Sequence, residues 1–278
     1  MTGAVAGASN RALPGFRATL GFTVAYLAVV VLIPLAMLPA RLVAEPSALG
    51  RTLVDPRVLA SFRLTLGASA AAAIVHGVFG LVAAWVLVRY AFPGRRVLDA
   101  LVDLPFALPT AVAGITLTTL YAPTGWLGGP LARAGVPVAF TPVGIAVALV
   151  FIGLPFVIRT LQPVIADLDP EIEQAATSLG ASRGQVLARV ILPTLAPAWL
   201  TGLTLAFARG LGEYGAVVFI AGNMPYRTEV PPLLILTRLE EYDYGGAVAV
   251  AFALLALSFL LLLAINALQG WTARRVGA

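Results

Sequence analysis

Six stretches of this chain run for about 20 residues or more with almost no charge, and no other feature narrows the possible folds so far. A helix that rises 1.5 Å per residue needs about 20 apolar residues to cross a hydrocarbon layer roughly 30 Å thick. The runs fall at roughly 18 to 39, 63 to 88, 100 to 121, 141 to 161, 195 to 221 and 246 to 269. Lipid offers no partner for a free N–H or C=O, so such runs fold as helices. Of the 278 residues, 60% are hydrophobic and 11% charged, too little polar surface to cover a soluble globule of this size. The expectation is an all-α polytopic membrane protein with six transmembrane helices. The first run follows Arg11 and Arg17 but exceeds the roughly 7 to 15 apolar residues of a signal peptide and lacks a clean cleavage site, so it reads as a retained span.

Arginine placement sets the orientation. With the N-terminus inside, the cytoplasmic segments hold Arg11, Arg17, Arg89, Arg95, Arg96, Arg159, Arg183, Arg189, Arg274 and Arg275. The outer segments hold the smaller set Arg41, Arg51, Arg57, Arg63, Arg133, Arg227 and Arg238, which favours N-in and C-in. The chain then divides into a cytoplasmic tail (1–17), a first span with its outer loop (18–57), a five-span core (58–270) enclosing a cytoplasmic loop at 167–193, and a C-terminal tail (271–278).

Several chemistries are excluded by absence. There is no cysteine, so no disulfide or thiolate site. All 18 basic residues are arginine, which removes a P-loop lysine and a Schiff-base lysine. The single histidine, His76, cannot form a multi-histidine metal site and reads as a packing residue. Pro34, Pro105, Pro109 and Pro155 lie in or beside the apolar runs and require neighbouring helices to satisfy the carbonyls they free. In the second run, Ala70, Ala73 and Gly77 suggest a close-packing face.

The most polar internal stretch follows the fourth run, "DLDPEIEQAATSLGASRGQVLARVILP". Asp167 or Asp169 can cap a helix, Pro170 suits its first position, Glu171 and Glu173 suit its positive end, and Gly180 can close it in a left-handed conformation. Ser182 and Gln185 form a capping box for a second helix whose stripe of Val186, Leu187, Val190 and Ile191 ends at Pro193. Asp167, Asp169, Glu171 and Glu173 outweigh Arg183 and Arg189, which opposes binding to nucleic acid. Two uses remain: an interfacial amphipathic connection, or a rigid element pushed by a partner.

The spacing of "QAATSLGASRGQVLARVILP" resembles the EAA loop of bacterial ABC-importer permeases: Glu-Ala-Ala, three residues, Gly, nine residues, Ile, one residue, Leu-Pro. Ala175, Ala176, Gly180, Leu192 and Pro193 match, while Gln174 replaces the glutamate and Val190 the isoleucine. The resemblance implies a coupling surface formed by Glu173, Gln174, Ala175, Ala176, Gly180, Ala181, Leu192 and Pro193 that docks on a cytoplasmic ATPase. Downstream, "ARGLGEYGAVVFIAGNMPYRTEVPPLLILTRLEEYDYGGA" is similar to sulfate/thiosulfate importer permeases of the subunit-T type, with molybdate or tungstate permeases as the nearer alternative. The fold implied is that of a type I ABC importer permease in the bacterial inner membrane. The partners implied are two copies of an ABC ATPase, a second homologous permease, a periplasmic sulfate-binding protein and membrane lipid. ATP and Mg²⁺ would be bound by the ATPase, with no cofactor in this chain and no enzymatic activity of its own.

Two further sets of residues stand out. Arg209 and Glu213 are four apart inside an apolar run, where a charge costs on the order of 2.5 to 3.5 kcal/mol, so they should pair or face water. They fit either the path and gate of a dianion or a self-neutralising pair that locks the bundle. The outer stretch holding Arg227, Glu229, Glu240, Glu241 and Asp243 fits contact with the binding protein, or packing over the bundle mouth. A secondary anion transporter could share the spans and the ion pair but would not need the coupling segment. A membrane enzyme would want a histidine or carboxylate cluster that the spans do not offer.

Overall fold

A computed structural model describes residues 16–276, so Arg11 and most of the expected N-terminal tail lie outside the described residues. Every regular element among the described residues is helical. Among these residues five helices are long and apolar enough to cross a membrane: α1 (Ala18–Val43), α3 (Pro56–Arg89), α6 (Pro142–Ala166), α8 (Arg183–Leu211) and α11 (Tyr244–Val276, apolar through Ala267). A short helix α2 (Pro46–Val54) links the first two, and Asp55 caps α3 by accepting the Arg57 amide at 2.8 Å.

The third expected span does not form as one helix. Residues 100–121 are split into the end of α4 (Arg95–Val102), a single turn at Leu104–Ala107, and α5 (Thr110–Tyr121). Pro109 is the cause, because a residue before proline is driven out of the α region and Leu108 accordingly has φ −85° and ψ 134°. The fifth span also departs from expectation at both ends. It starts at Arg183 and runs through Pro193, which does not stop it. The helix widens into a π-type turn at Leu187–Ile191, which makes room for the proline ring immediately C-terminal to it. It ends at Leu211 and not at 221, and the chain turns before the short helix α9 (Val217–Ala221).

The core is centred on α6, which is buried by α8 on one side and α3 on another. Ala84, Leu87, Val157, Ile158, Leu161 and Leu195 fill the end nearer the coupling segment, and Ala68, Ala72, Ile145, Leu149, Val217 and Leu233 the other. Close approach depends on small residues: a Cβ on Gly202 would lie 2.8 Å from Cα of Val157. On α3 the packed stripe is Thr65, Ala68, Ser69, Ala72, His76, Gly77 and Gly80, at helical spacing. Gly77 belongs to it as expected, but Ala73 is half-buried and Ala70 faces outward, because Ala70 lies on the opposite side of the helix from Ala68 and Ala72. The apolar window of α1 is wholly unburied within the chain.

His76 sits at a π-type turn of α3 (His76–Gly80) and joins it to α6. Its Nε2 lies 2.8 Å from the Val150 carbonyl, and its ring fills the space where a Gly153 side chain would stand. A carbonyl can only accept, so Nε2 carries the proton.

Candidate coupling surface and path residues

The coupling segment folds as its local signals dictate. Helix α7 (Pro170–Ser178) begins at Asp169, whose Oδ1 accepts the Glu171 amide at 2.8 Å, and places Glu171 and Glu173 in its first turn. It ends at Gly180, with φ +85°, where the Gly180 amide donates to Thr177 O and the Ala181 amide to Ala176 O. That pair of bonds is a Schellman turn, which satisfies the last carbonyls and is open to glycine at little steric cost. The expected capping box is present: Ser182 N donates to Gln185 Oε1 at 2.8 Å and Gln185 N to Ser182 Oγ at 3.4 Å.

The turn therefore has two sides. Ala176 and Ala181 pack inward on the cluster around Leu161 and Ile165. Gln174, Ala175 and Gly180 are exposed, beside Ile172 and Leu179, the latter 89% exposed. Glu173 faces back toward the bundle and pairs with Arg89 at the end of α3, whose guanidinium also lies 5.1 Å above the Trp85 ring. It thus tethers the turn to the membrane core and does not take the exposed place of the glutamate that Gln174 replaces. Leu192 and Pro193 lie within α8, beyond the exposed turn.

Arg209 and Glu213 do pair, at 2.6 Å, though not on one helical face, because α8 has ended at Leu211. Glu213 is buried, and its other oxygen accepts the Ala216 amide at 2.8 Å, while Arg209 keeps about a third of its side-chain surface. The turn after α8 is pressed onto the start of α5: a Cβ on Gly215 would lie 2.1 Å from Thr110 Oγ1, and one on Gly114 2.5 Å from the Ala216 carbonyl. Two discontinuities, one before Thr110 and one after Leu211, meet beside the ion pair. Non-helical backbone at membrane depth survives only where protein or an aqueous cavity surrounds it.

The outer residues separate into two groups. Glu229 is buried and grips Arg57 in a fork, both N–H···O distances 2.7 Å, so it is withdrawn from any exposed contact surface. Asp243 accepts from Arg238 at 2.6 Å and from the Gly246 amide at 2.9 Å, and Arg238 reaches on to Asp55 at 2.5 Å. The Gly246 amide first, and Arg238 second, hold the Asp243 carboxyl below its ordinary pKa. Arg227, Glu240 and Glu241 remain exposed.

Sequence reading missed a cluster at the α4 end. Arg159 on α6 binds Asp103 through both oxygens, at 2.8 and 2.6 Å, and Asp99 at 2.7 Å. The Gln162 amide donates to Asp99 at 2.8 Å, and with Arg159 it lowers the Asp99 pKa. Asp99 and Asp103 stand four apart in the interfacial stretch, a spacing that could have flagged them. No group of three or more His, Asp or Glu suited to a metal ion occurs among the described residues.

This arrangement of helices is that of the permease subunits of type I ABC importers. At 17% identity, the chain superposes on a bacterial ABC transporter that imports alginate with a TM-score of 0.73, covering 91% of this chain and 94% of the other. The MetNI methionine ABC transporter in an inward-facing form gives 0.56 over 77% and 95%, also at 17% identity. The model of the binding-protein-dependent transport system inner membrane component matches residues 76–278, and the chain belongs to that family. It is 49% identical over 269 residues to the sulfate transport system permease protein CysT of Escherichia coli (strain K12), covering 96% of this chain and 97% of that one. It is 47% identical over 259 residues to the protein of the same name from Synechococcus elongatus, covering 92% of each. It is accordingly a multi-pass inner-membrane permease.

Proposed function

We propose that this chain is one of two permease subunits in an ATP-driven importer of sulfate and thiosulfate, paired with a homologous permease, two ATPase subunits and a periplasmic binding protein. The substrate reading is supported by the names of the relatives and their coverage of nearly the whole chain. The mechanical reading is carried by one observation: α8 is continuous from the capping box at Ser182 to the turn that holds Arg209 and Glu213. Its 29 residues span about 43 Å at 1.5 Å per residue. A displacement of the exposed turn around Ala175 and Gly180 is therefore delivered to the far side of the bundle by a single unbroken helix.

In this reading ATP and Mg²⁺ bind the ATPase subunits, whose closure carries the docked turn and rocks the spans from inward to outward facing. Arg209 lines the route of a dianion, and Glu213 fixes the guanidinium while capping the backbone at Ala216. Arg227, Glu240 and Glu241 meet the binding protein. The test is ATPase activity of the reconstituted complex with its binding protein loaded in turn with sulfate, thiosulfate and molybdate. Stimulation by sulfate or thiosulfate alone is expected; stimulation by molybdate alone would overturn the substrate, and none at all in an assembled, ATP-binding complex would overturn the coupling.

A further inference from the structure

A groove of about 680 Å³ opens at the end of the molecule that carries the coupling turn. Trp85, Tyr90 and Phe92 form one wall, and Leu187, Ile191 and Leu195 of α8 the other. No charged side chain lines it, and its volume is within the roughly 300 to 1,000 Å³ typical of ligand sites. It lies apart from the exposed coupling turn and the ion-pair path, sharing only Leu192 with the coupling segment, and its second wall is the stretch of α8 that follows the capping box.

The surroundings say what kind of molecule it suits. Trp85 and Tyr90 are the residue types that sit at the membrane–water boundary, which places the groove at the edge of the inner leaflet. Arg95 and Arg96 follow Phe92 across a turn at Gly94, and Arg183 stands one helical turn before Leu187, on the face of α8 that Leu187, Ile191 and Leu195 share. All three are exposed, and none has a carboxylate at ion-pair distance, although Arg95 acts on Asp99 at longer range, whereas nearby Arg89 and Arg159 are both paired. An apolar slot with the exposed guanidinium groups of Arg95, Arg96 and Arg183 in its adjoining segments, at the leaflet boundary, matches an acyl chain below and an anionic phosphate above. We infer that this groove holds an anionic phospholipid of the inner leaflet, wedged between α3 and the part of α8 that transmits the stroke. The inference rests on the membrane placement of the chain and not on the identity of the imported anion.

The chain has no cysteine, so a single reporter can be introduced. Val82, which lines the groove, is replaced by cysteine and labelled with bimane, with Phe22 on exposed α1 as the control position. The assembled complex is placed in nanodiscs containing a fixed fraction of brominated phosphatidylglycerol or brominated phosphatidylcholine, and quenching is compared. Phosphatidylglycerol should quench selectively at position 82 and not at 22, with apparent selectivity falling about fivefold for each of Arg96 and Arg183 changed to Gln. Equal quenching by the two lipids at both positions would reduce the groove to ordinary annular contact and overturn the proposal. Absence of quenching by either lipid at position 82 would show that protein covers it and would overturn the proposal equally.

Discussion

Gly153→Ala should damage this protein far more than a methyl group normally does, and His76→Ala should relieve the damage. A Cβ at position 153 would stand 2.3 Å from Cε1 of His76 and 3.0 Å from its Nδ1. The ring cannot swing freely, because it is wedged at the α3 π-type turn and held to the Val150 carbonyl at 2.8 Å. Overpacking costs about 1 to 3 kcal/mol, and displacing the ring forfeits a hydrogen bond worth about 1 kcal/mol while leaving a buried donor unmet. The single change should therefore cost about 2 to 4 kcal/mol. His76→Ala alone leaves a cavity and costs about 3 kcal/mol. In the double variant the new methyl occupies part of the vacated space, so the two penalties should fall short of their sum by about 1 to 3 kcal/mol. The assay is unfolding in mixed micelles titrated with SDS, run on all four proteins. Strict additivity would refute the contact and with it the account of how α3 and α6 are held together.

Three other outcomes follow from the same geometry. Gly180→Asp strains a position with φ +85° and places charge on the exposed turn, so ATPase stimulation by loaded binding protein should drop at least tenfold while the complex still assembles, as read by size-exclusion chromatography. Glu229→Ala leaves Arg57 only the more distant Glu241, at 4.0 Å; the loss should be about 3 kcal/mol, the low end for a broken buried pair because Arg57 keeps 24% exposure and that second carboxylate, and the SDS midpoint reports it. Asp99 has a depressed pKa from Gln162 and Arg159, so its contribution is fully present above the ordinary carboxylate value near 3.9 and is lost as pH falls through the folded value. Acid unfolding of the wild type should therefore steepen below about pH 4, and Asp99→Asn should flatten that limb.

Local chemistry was legible wherever the signal was local. Asp169, Gly180, Ser182 and Gln185 each do what their residue type and spacing announced, because caps and turns are decided within a few residues. Four of the six spans were readable for the same reason, since hydropathy is a property of the run, but the third is broken before Pro109 and the fifth is shifted at both ends. What failed depended on distance. Pro193 looked like a stop because proline usually ends a helix, but a π-type turn earlier in the same helix absorbs the ring, and residue type alone does not announce such a turn. Glu229 looked like a surface carboxylate until Arg57, 172 residues away, was found to bury it. The Arg159 cluster was missed on the same ground: the i, i+4 spacing of Asp99 and Asp103 is visible in the sequence, but Arg159 and Gln162 lie on α6, more than 50 residues away.

The placement of breaks bears on how motion could pass through the bundle. α8 contains Pro193 and Pro197 yet is continuous, and its start is fastened by a capping box. The interruptions fall instead at Leu108–Pro109 and at Gly212–Ala216, and these two face one another, with Gly114 and Gly215 permitting backbone contact that any larger residue would prevent. A stiff element delivers displacement without bending, and a hinge absorbs it in a few residues. Unbroken helix therefore runs from the coupling turn, with a π-type turn and two prolines near its start, and the break in backbone regularity lies where it ends, beside Arg209. Glu213 joins the two regimes: one oxygen holds a residue of the helix and the other holds the Ala216 amide beyond the break. Any rotation at Gly212 must stretch or release one of these bonds, so the ion pair opposes motion at the hinge in proportion to how well both are made.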